Sequence, residues 1–534
     1  MKVSKTYLLN KLMLSFGKVS HHNYYSSQHK VDVVQKQKLF AYLANNCTTL
    51  FGREHEFAKI KDYASYATAV PIIEDWKQVE RYIKRIEKGE QNVLCTEAVD
   101  AFEETSGSTG FSKLIPYNKG LKKEFEKALQ VWMIDLHGKL PQSFRGKSYW
   151  SLSPALKETR FTEGGIRVGL ENDAAYFSPI FRYFLSRIIA VNSNTAKIKE
   201  PYDFYFATLK QLLLQEDLSF ISVWSPTFFL QLDEFMKANF TFLLEEVRKV
   251  DRRRHRQLKE ITQEVFTWKD IWPNLACISC WTDAQASIWL SQVERIAGEV
   301  WVQPKGLLST EAVVSIPIKG AAYPALAYQS HFFEFRQTDN STIHLAHQLL
   351  QDECYEVIVT TAGGLYRYVT KDVVQVAGFQ QQIPLLKFLG RHSRTSDLVG
   401  EKVSEIQVNK IIDAVLKGRN MQVAMIFLKP EKLNQSGRYT LYIELSDQKN
   451  QQELLEMVKQ FEQILCQNPY YQQALNTGQL KPMQYQMLPK GFKENLAIYY
   501  REKKLIKDGN IKLPALFLEH ELKDIDFYRE QLHH

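Results

Sequence analysis

The chain has 534 residues, of which 45% are hydrophobic and 24% charged, and 68 Lys+Arg against 60 Asp+Glu give a net charge of +8. That is ordinary globular composition, and an excess so thinly spread gives no footprint for nucleic acid. No run approaches 18 consecutive apolar residues, so no bilayer span is expected. The apolar N-terminal stretch is broken by Asn10, Lys11 and Ser15, so a short amphipathic helix is expected there rather than a signal peptide.

Residues 33–65 read as helix then loop, and 75–88 as a highly charged helix. Residues 95–104 lead into Thr105-Ser106-Gly107-Ser108-Thr109-Gly110, with Lys113 three residues beyond. Glycines let backbone amides turn toward an anion, hydroxyls add donors, and the lysine adds a point charge. The spacing is GxxGxxK, which is not a Walker A loop. Leu121, Phe125, Ala128, Trp132, Met133 and Leu136 then follow helical spacing. Residues 219–224 read as a buried strand, Pro226 opens a helix containing Phe228, 275–281 read as a strand and 285–297 as a helix. This alternation predicts an α/β core with parallel pairing. The run Arg252-Arg253-Arg254-His255-Arg256 lies among acidic residues on a predicted helix and reads as a solvated face.

Residues 299–390 are strand-rich. After Gly390 a polar stretch separates them from a tail that reads as helix 405–416, strands 422–428 and 439–445, helix 451–466, strand 483–488 and helix 492–504. The expected organisation is a large unit over 1–390, a hinge over 391–402 and a small α+β unit over 403–534. Six cysteines include one pair, Cys277 and Cys280, without a second pair or histidines at zinc spacing. Buried free thiols in a cytoplasmic protein are expected.

Three downstream segments complement the Gly/Ser loop. In Gly306-Leu307-Leu308-Ser309-Thr310-Glu311 a strand end can offer a hydroxyl to an α-phosphate and a carboxylate to Mg²⁺. In Gly364-Leu365-Tyr366-Arg367-Tyr368, Asp372 follows in a predicted turn where a carboxylate can accept both ribose hydroxyls of a nucleotide; a turn aspartate can equally satisfy its own backbone. Arg391, in the stretch running to Gly400-Glu401-Lys402, can reach ribose or phosphates.

The ordered set TSGSTGxxK, STE, YRYxxxD and GR…GEK resembles the adenylate-forming superfamily of acyl-activating enzymes. It is more closely similar to the Gretchen Hagen 3 acyl acid–amido synthetases. KGLLSTEAVVSIP, GGLYRYVTKDVVQVAGF, CWTDAQ and YIKRIEKGEQNVL resemble prokaryotic members, and the resemblance runs from about residue 35 to about 515. It implies a large N-terminal adenylate-forming α/β domain with parallel and mixed sheets, and a small mobile α+β C-terminal domain. It implies ATP and Mg²⁺ as cofactors, held by Ser106, Gly107, Ser108, Thr109, Lys113, Gly306, Leu307, Thr310, Asp372, Arg391 and Lys402, with Glu311 on the metal. Lys512, in Asp508-Gly509-Asn510-Ile511-Lys512-Leu513-Pro514, matches the mobile catalytic lysine. The usual Gln-Tyr before this lysine is Asn510-Ile511, the arginine after the proline is Ala515, and the glycine before the ribose aspartate is Lys371.

The implied reaction adenylates a small carboxylic acid, releases pyrophosphate and passes the acyl group to an amino acid amine. Trp132, Trp224 and Phe228 are candidates for an apolar acyl pocket, although such aromatics also build cores. The alternatives are an acyl- or aryl-CoA ligase sharing the first step, and a catalytically silent binding protein that keeps the fold. Neither nucleic acid nor membrane is expected as a partner.

Overall fold

The computed structural model describes residues 5–105, 113–151, 160–169, 179–261, 266–392, 394–419, 421–433, 436–446, 451–504 and 511–522. Helices including Lys5–Phe16, Val31–Asn46 and Lys77–Glu87 precede the first strands. β1 (Ala101–Glu104) and β2 (Leu114–Tyr117) pair antiparallel on either side of the Gly/Ser loop. Helix Lys119–Lys139 follows, its start fixed by the Asn118 side chain accepting from the Leu121 amide at 2.8 Å. Next come β3 (Lys147–Trp150), β4 (Arg160–Phe161), β5 (Arg167–Val168), β6 (Leu218–Ser222), β7 (Cys277–Cys280) and β8 (Trp301–Pro304). β4 and β5 extend the first sheet.

The strands β3-β6-β7-β8 form the expected parallel sheet. Both faces are buried, which explains strands that read as continuous apolar runs. Phe220 and Cys277 face a core with helix Lys119–Lys139, whereas Ile221, Ile278 and Cys280 face a second core with helix Pro226–Ala238. Cys277 and Cys280, three apart on one strand, therefore point to opposite faces. The basic helix Arg252–Lys259 corrects one expectation: Arg254 is buried and donates to the carbonyls of Leu213 and Ile271, both at 2.9 Å. Its neighbours Arg252, Arg253 and Arg256 are exposed.

The strand-rich middle is one seven-stranded antiparallel sheet, made by β9 (Ser315–Ile316), β10 (Ala325–Leu326), β11 (Phe332–Gln337), β12 (Ile343–Leu345), β13 (Cys354–Thr360), β14 (Tyr368–Gln380) and β15 (Ile383–Arg391), in the order β12-β11-β13-β14-β15-β10-β9. Asp372 was expected in a turn. It lies inside β14, because a register shift and a left-handed Lys371 (φ 69°) let the strand run on past the irregularity.

A short hairpin of β16 (Thr395–Ser396) and β17 (Val403–Ser404) leads into helix Glu405–Leu416. β18 (Val423–Lys432), β19 (Gly437–Leu445) and β20 (Gln484–Met487) form the tail sheet, with helices Gln451–Leu465, Pro469–Asn476 and Phe492–Lys504. Alternation decides what each face buries. Ile426 and Leu428 pack on the tail's own helices, whereas Met425 and Phe427 join the second core of the large unit. The outer edge of β18 is covered too. Gln285 and Trp289 donate side-chain N–H groups to the carbonyls of Ile426 and Ala424, both at 2.8 Å.

Candidate active site

Four segments converge where the large unit meets the tail. The β1–β2 pair delivers Lys113. The Thr105 amide donates to the Lys113 carbonyl at 3.0 Å, closing the loop base, and Lys113 Nζ donates to the Tyr368 hydroxyl at 2.7 Å. Ser106, Gly107, Ser108 and Thr109 lie outside the described residues.

The second segment is the β14–β15 pair, in which Asp372 stands directly opposite Arg391. Arg391 Nε donates to Asp372 Oδ1 and Nη2 to the Thr370 carbonyl, both at 3.0 Å. Asp372 is 3% exposed, and its charge holds the Arg391 guanidinium above its usual range. The residue before it has φ 69°, a conformation glycine adopts freely and lysine under strain. That explains why a glycine is usual there and Lys371 is a departure.

The third segment is the turn carrying Glu311, closed by a bridge between Leu308 and Val313. It needs Gly306: φ is 86°, and a Cβ there would meet the Ser315 carbonyl oxygen at 2.4 Å. The amide and carbonyl of Leu307 are taken up within the turn by Ser315 and Val314, and its side chain is in the core. The Thr310 carbonyl accepts from the Tyr117 hydroxyl at 2.5 Å. Glu311 is 5% exposed.

The fourth segment carries Lys512. Residues 513–517 lie along β18, with Leu428 donating to the Ala515 carbonyl at 2.8 Å and Phe517 donating to the Leu428 carbonyl at 2.9 Å. The Ala515 amide donates to Glu405 at 3.0 Å and Arg394 donates to the Leu516 carbonyl at 3.1 Å. With Ile511 and Leu513 buried, Lys512 projects into the cleft, its ammonium 4.7 Å from the centre of the Trp281 ring.

Mutual fields define the cluster. Burial lowers the Lys512 ammonium below the ordinary lysine range, against the opposing charges of Asp372 and Glu311. The Lys512 side chain is itself exposed to water, so it lines an open cleft rather than a core. Burial likewise lowers Lys113, opposed by Glu311, and raises the Tyr368 hydroxyl, reinforced by Glu311. Lys113, Glu311, Tyr368, Asp372, Arg391 and Lys512 are thus brought together. Lys402 is not: it sits on an exposed turn, and no contact among the described residues links it to the cluster.

Of the aromatic candidates, Trp132 and Trp224 meet around the buried ammonium of Lys305, at 5.8 and 4.4 Å from the ring centres. Trp224 is also 5.9 Å from Trp281. Phe228 corrects the sequence reading. It is fully buried beside Tyr205 in the core on the opposite face of the parallel sheet, because it points inward from helix Pro226–Ala238. Sequence reasoning assigned no role to Tyr368, Trp281 or Lys305, although each stands within a segment singled out for its resemblance.

An α/β large unit, a cluster of charges and a tail bringing a lysine to it make up the arrangement that the sequence resemblance implies. The GH3.15 acyl acid amido synthetase superposes on the chain with a TM-score of 0.80 at 17% identity, covering 96% of each chain. The same protein in complex with 2,4-DB gives 0.80 at 18% identity, covering 99% of this chain and 97% of that one. Models of the GH3 family N-terminal, central and C-terminal domains match residues 20–302, 324–391 and 407–521. The chain belongs to the GH3 family. It is 22% identical over 467 residues to the indole-3-acetic acid-amido synthetase GH3.4 of Arabidopsis thaliana, covering 78% of each. It is also 22% identical over 475 residues to the jasmonoyl–L-amino acid synthetase GH3.5 of Oryza sativa subsp. japonica, covering 77% of this chain and 80% of that one.

Proposed function

We propose that the protein is an ATP-dependent acyl acid–amido synthetase that adenylates a small carboxylic acid and transfers the acyl group to an amino acid. The observation that carries this reading is the placement of Lys512 in one cleft with Glu311, Asp372 and Arg391, across from Lys113. Relatives named for joining indole-3-acetic acid or jasmonate to amino acids support the amine as acceptor over CoA.

In this reading Asp372, oriented by Arg391, accepts the ribose hydroxyls, while Lys113 and the loop residues Ser106, Gly107, Ser108 and Thr109 take the phosphates. Thr310 lies beside the α-phosphate. Glu311 fits a divalent cation: it is nearly buried, and its carboxylate accepts no hydrogen bond from a described residue. Magnesium keeps several waters and needs few protein ligands, so one carboxylate plus phosphate oxygens suffices; bound there, it supplies charge neutralisation. The acid's carboxylate is already nucleophilic, so adenylation needs positioning and charge stabilisation more than a base. Lys512 bridges the attacking carboxylate and the α-phosphate as pyrophosphate leaves. The amine then attacks the mixed anhydride and AMP departs. Rotation of the tail about residues 391–402 exchanges the groups facing the site between the steps.

The deciding experiment is pyrophosphate exchange into ATP with Mg²⁺ and a panel of carboxylic acids, followed by amino acids or CoA. Acid-dependent exchange and amide product support the reading. A thioester product, or ATP binding without exchange for any acid, counts against it.

A further inference from the structure

Helix Lys119–Lys139 carries an acid on its buried side. Glu124 is 5% exposed, and its carboxylate accepts four hydrogen bonds. Oε1 accepts from Lys38 Nζ at 3.1 Å and from the Tyr42 hydroxyl, and Oε2 accepts from the Ala362 amide at 3.1 Å. The fourth donor is His331, whose Nδ1 is 2.9 Å from Oε2. Against burial, the Lys38 ammonium holds the Glu124 carboxyl well below the usual carboxylate range. An ionised carboxylate only accepts, which assigns the His331 proton to Nδ1. Its Nε2 is then free to accept, and it takes the Val313 amide at 3.1 Å.

Val313 stands two residues past Glu311. The backbone of that turn closes on itself, with Ser309 donating to the Ala312 carbonyl and Val314 to the Leu307 carbonyl, both at 2.9 Å. The Val313 amide between them goes to the imidazole instead of to a carbonyl. Val313 and His331 are both fully buried, where an amide needs a partner from the protein. On the other side of Glu311, the Tyr117 hydroxyl donates to the Thr310 carbonyl, so the acid sits between two braces. The same helix holds the loop leading to Tyr368 by both ends of one residue. The Ala362 amide donates to Glu124, and its carbonyl accepts from Asn118 Nδ2 at 2.7 Å. His331 packs against the Phe125 and Phe333 rings, 5.9 Å from each centre, and so acts through the backbone rather than on a substrate.

We propose that His331, oriented by Glu124, is a positioning residue for metal-bound ATP: it fixes the turn so that the Glu311 carboxylate meets the cation. Groups that orient a metal ligand without touching the metal are worth about 10–100-fold in affinity, and one acting through two backbone residues belongs at the low end. The inference rests on the proposed function, which places a divalent cation at Glu311, so the test reads metal binding apart from turnover.

His331→Leu removes the acceptor at similar volume. In His331→Gln the amide oxygen can accept from Val313 while the amide nitrogen donates to Glu124. Mn²⁺ is titrated against each full-length protein with a non-cleavable ATP analogue, and free Mn²⁺ is read by paramagnetic resonance. His331→Leu should weaken Mn²⁺ binding about tenfold, and His331→Gln should stay within about threefold of the parent. AMP binding in EDTA, read by calorimetry, should be unchanged in both, because the Asp372 side of the site does not hang on this turn. In pyrophosphate exchange the half-saturating Mg²⁺ concentration should rise by the same factor, with a smaller fall in rate at saturating Mg²⁺. Melting temperatures are read first. If the leucine variant does not fold, His331→Asn, too short to span Glu124 and Val313 together, takes its place with the same expectations. Parental Mn²⁺ affinity without the imidazole, an equal loss of AMP binding, or no restoration by glutamine overturns the proposal. A parent that binds AMP but no Mn²⁺ with the analogue refutes the cation at Glu311, and the role of His331 falls with it.

Discussion

Arg367 is a residue of the YRY segment whose role is structural, and its removal has a cost that can be worked out. It is 4% exposed and spans Glu334 with Nε at 3.0 and 3.1 Å and Nη2 at 2.8 Å. Its Nη1 donates to the carbonyls of Ala67 and Val70 at 2.8 and 2.9 Å, tying an N-terminal helix to the middle sheet. Arg367→Met leaves Glu334, 1% exposed, with only the Tyr63 hydroxyl at 2.7 Å among the described residues, and strips two carbonyls of this donor. Breaking a buried pair from one side costs about 3–5 kcal/mol, most of it the stranded charge. Urea unfolding followed by tryptophan fluorescence should show that loss. The double variant Arg367→Met with Glu334→Gln should recover about half, because the uncompensated charge is gone. A single variant within about 1 kcal/mol of the parent, or a double variant no more stable than the single, would refute the reasoning.

Asp372→Ala should weaken ATP binding strongly, measured by calorimetry, with little change in fold; unchanged affinity would count against its place on the ribose. Lys512→Ala should slow adenylation about 10²-fold or more, yet slow consumption of pre-formed acyl-adenylate far less; equal slowing would show the lysine to be misassigned. Because burial lowers the Lys512 ammonium, adenylation should fall on the alkaline side at a lower pH than a solvated lysine would give, and Lys512→Arg should flatten that limb even at reduced rate. Burial raises Asp283 to about 6, above its unfolded value, so the folded state binds the extra proton and stability falls as pH rises from about 4 to 6. Asp283→Asn should remove that slope and raise stability at neutral pH by on the order of 2 kcal/mol, since an amide oxygen can still accept from the Phe388 amide.

The parallel sheet was legible because β6 and β7 are short apolar runs bounded by turn signals, and the tail because its helices and strands keep clean periods. The continuity of β14 was not legible. A Tyr-Val-Thr-Lys-Asp-Val stretch reads as two strands with a turn, and only pairing with both β13 and β15 carries the strand across the irregularity. The charge cluster was legible as an ordered set of motifs, but its closeness in space is a property of the fold. Phe228 and Trp132 look alike in sequence, both aromatic and both on a helix over the same sheet. They face opposite sides of that sheet, which no local pattern specifies. Lys305 went unassigned because a lysine beside a glycine reads as surface, and its burial is imposed by three strands and two indoles.

The cover over β18 has a consequence for handling the protein. Gln285 and Trp289 occupy alternate carbonyls along the outer edge of that strand, and Ala515 and Phe517 take up the amide and carbonyl of Leu428. Any motion that lifts the tail from the large unit bares part of a strand edge next to Met425 and Phe427, a template on which another chain can add a strand. Self-association should therefore track turnover rather than concentration alone, with particles accumulating when the enzyme cycles with ATP and both substrates and staying few when it rests.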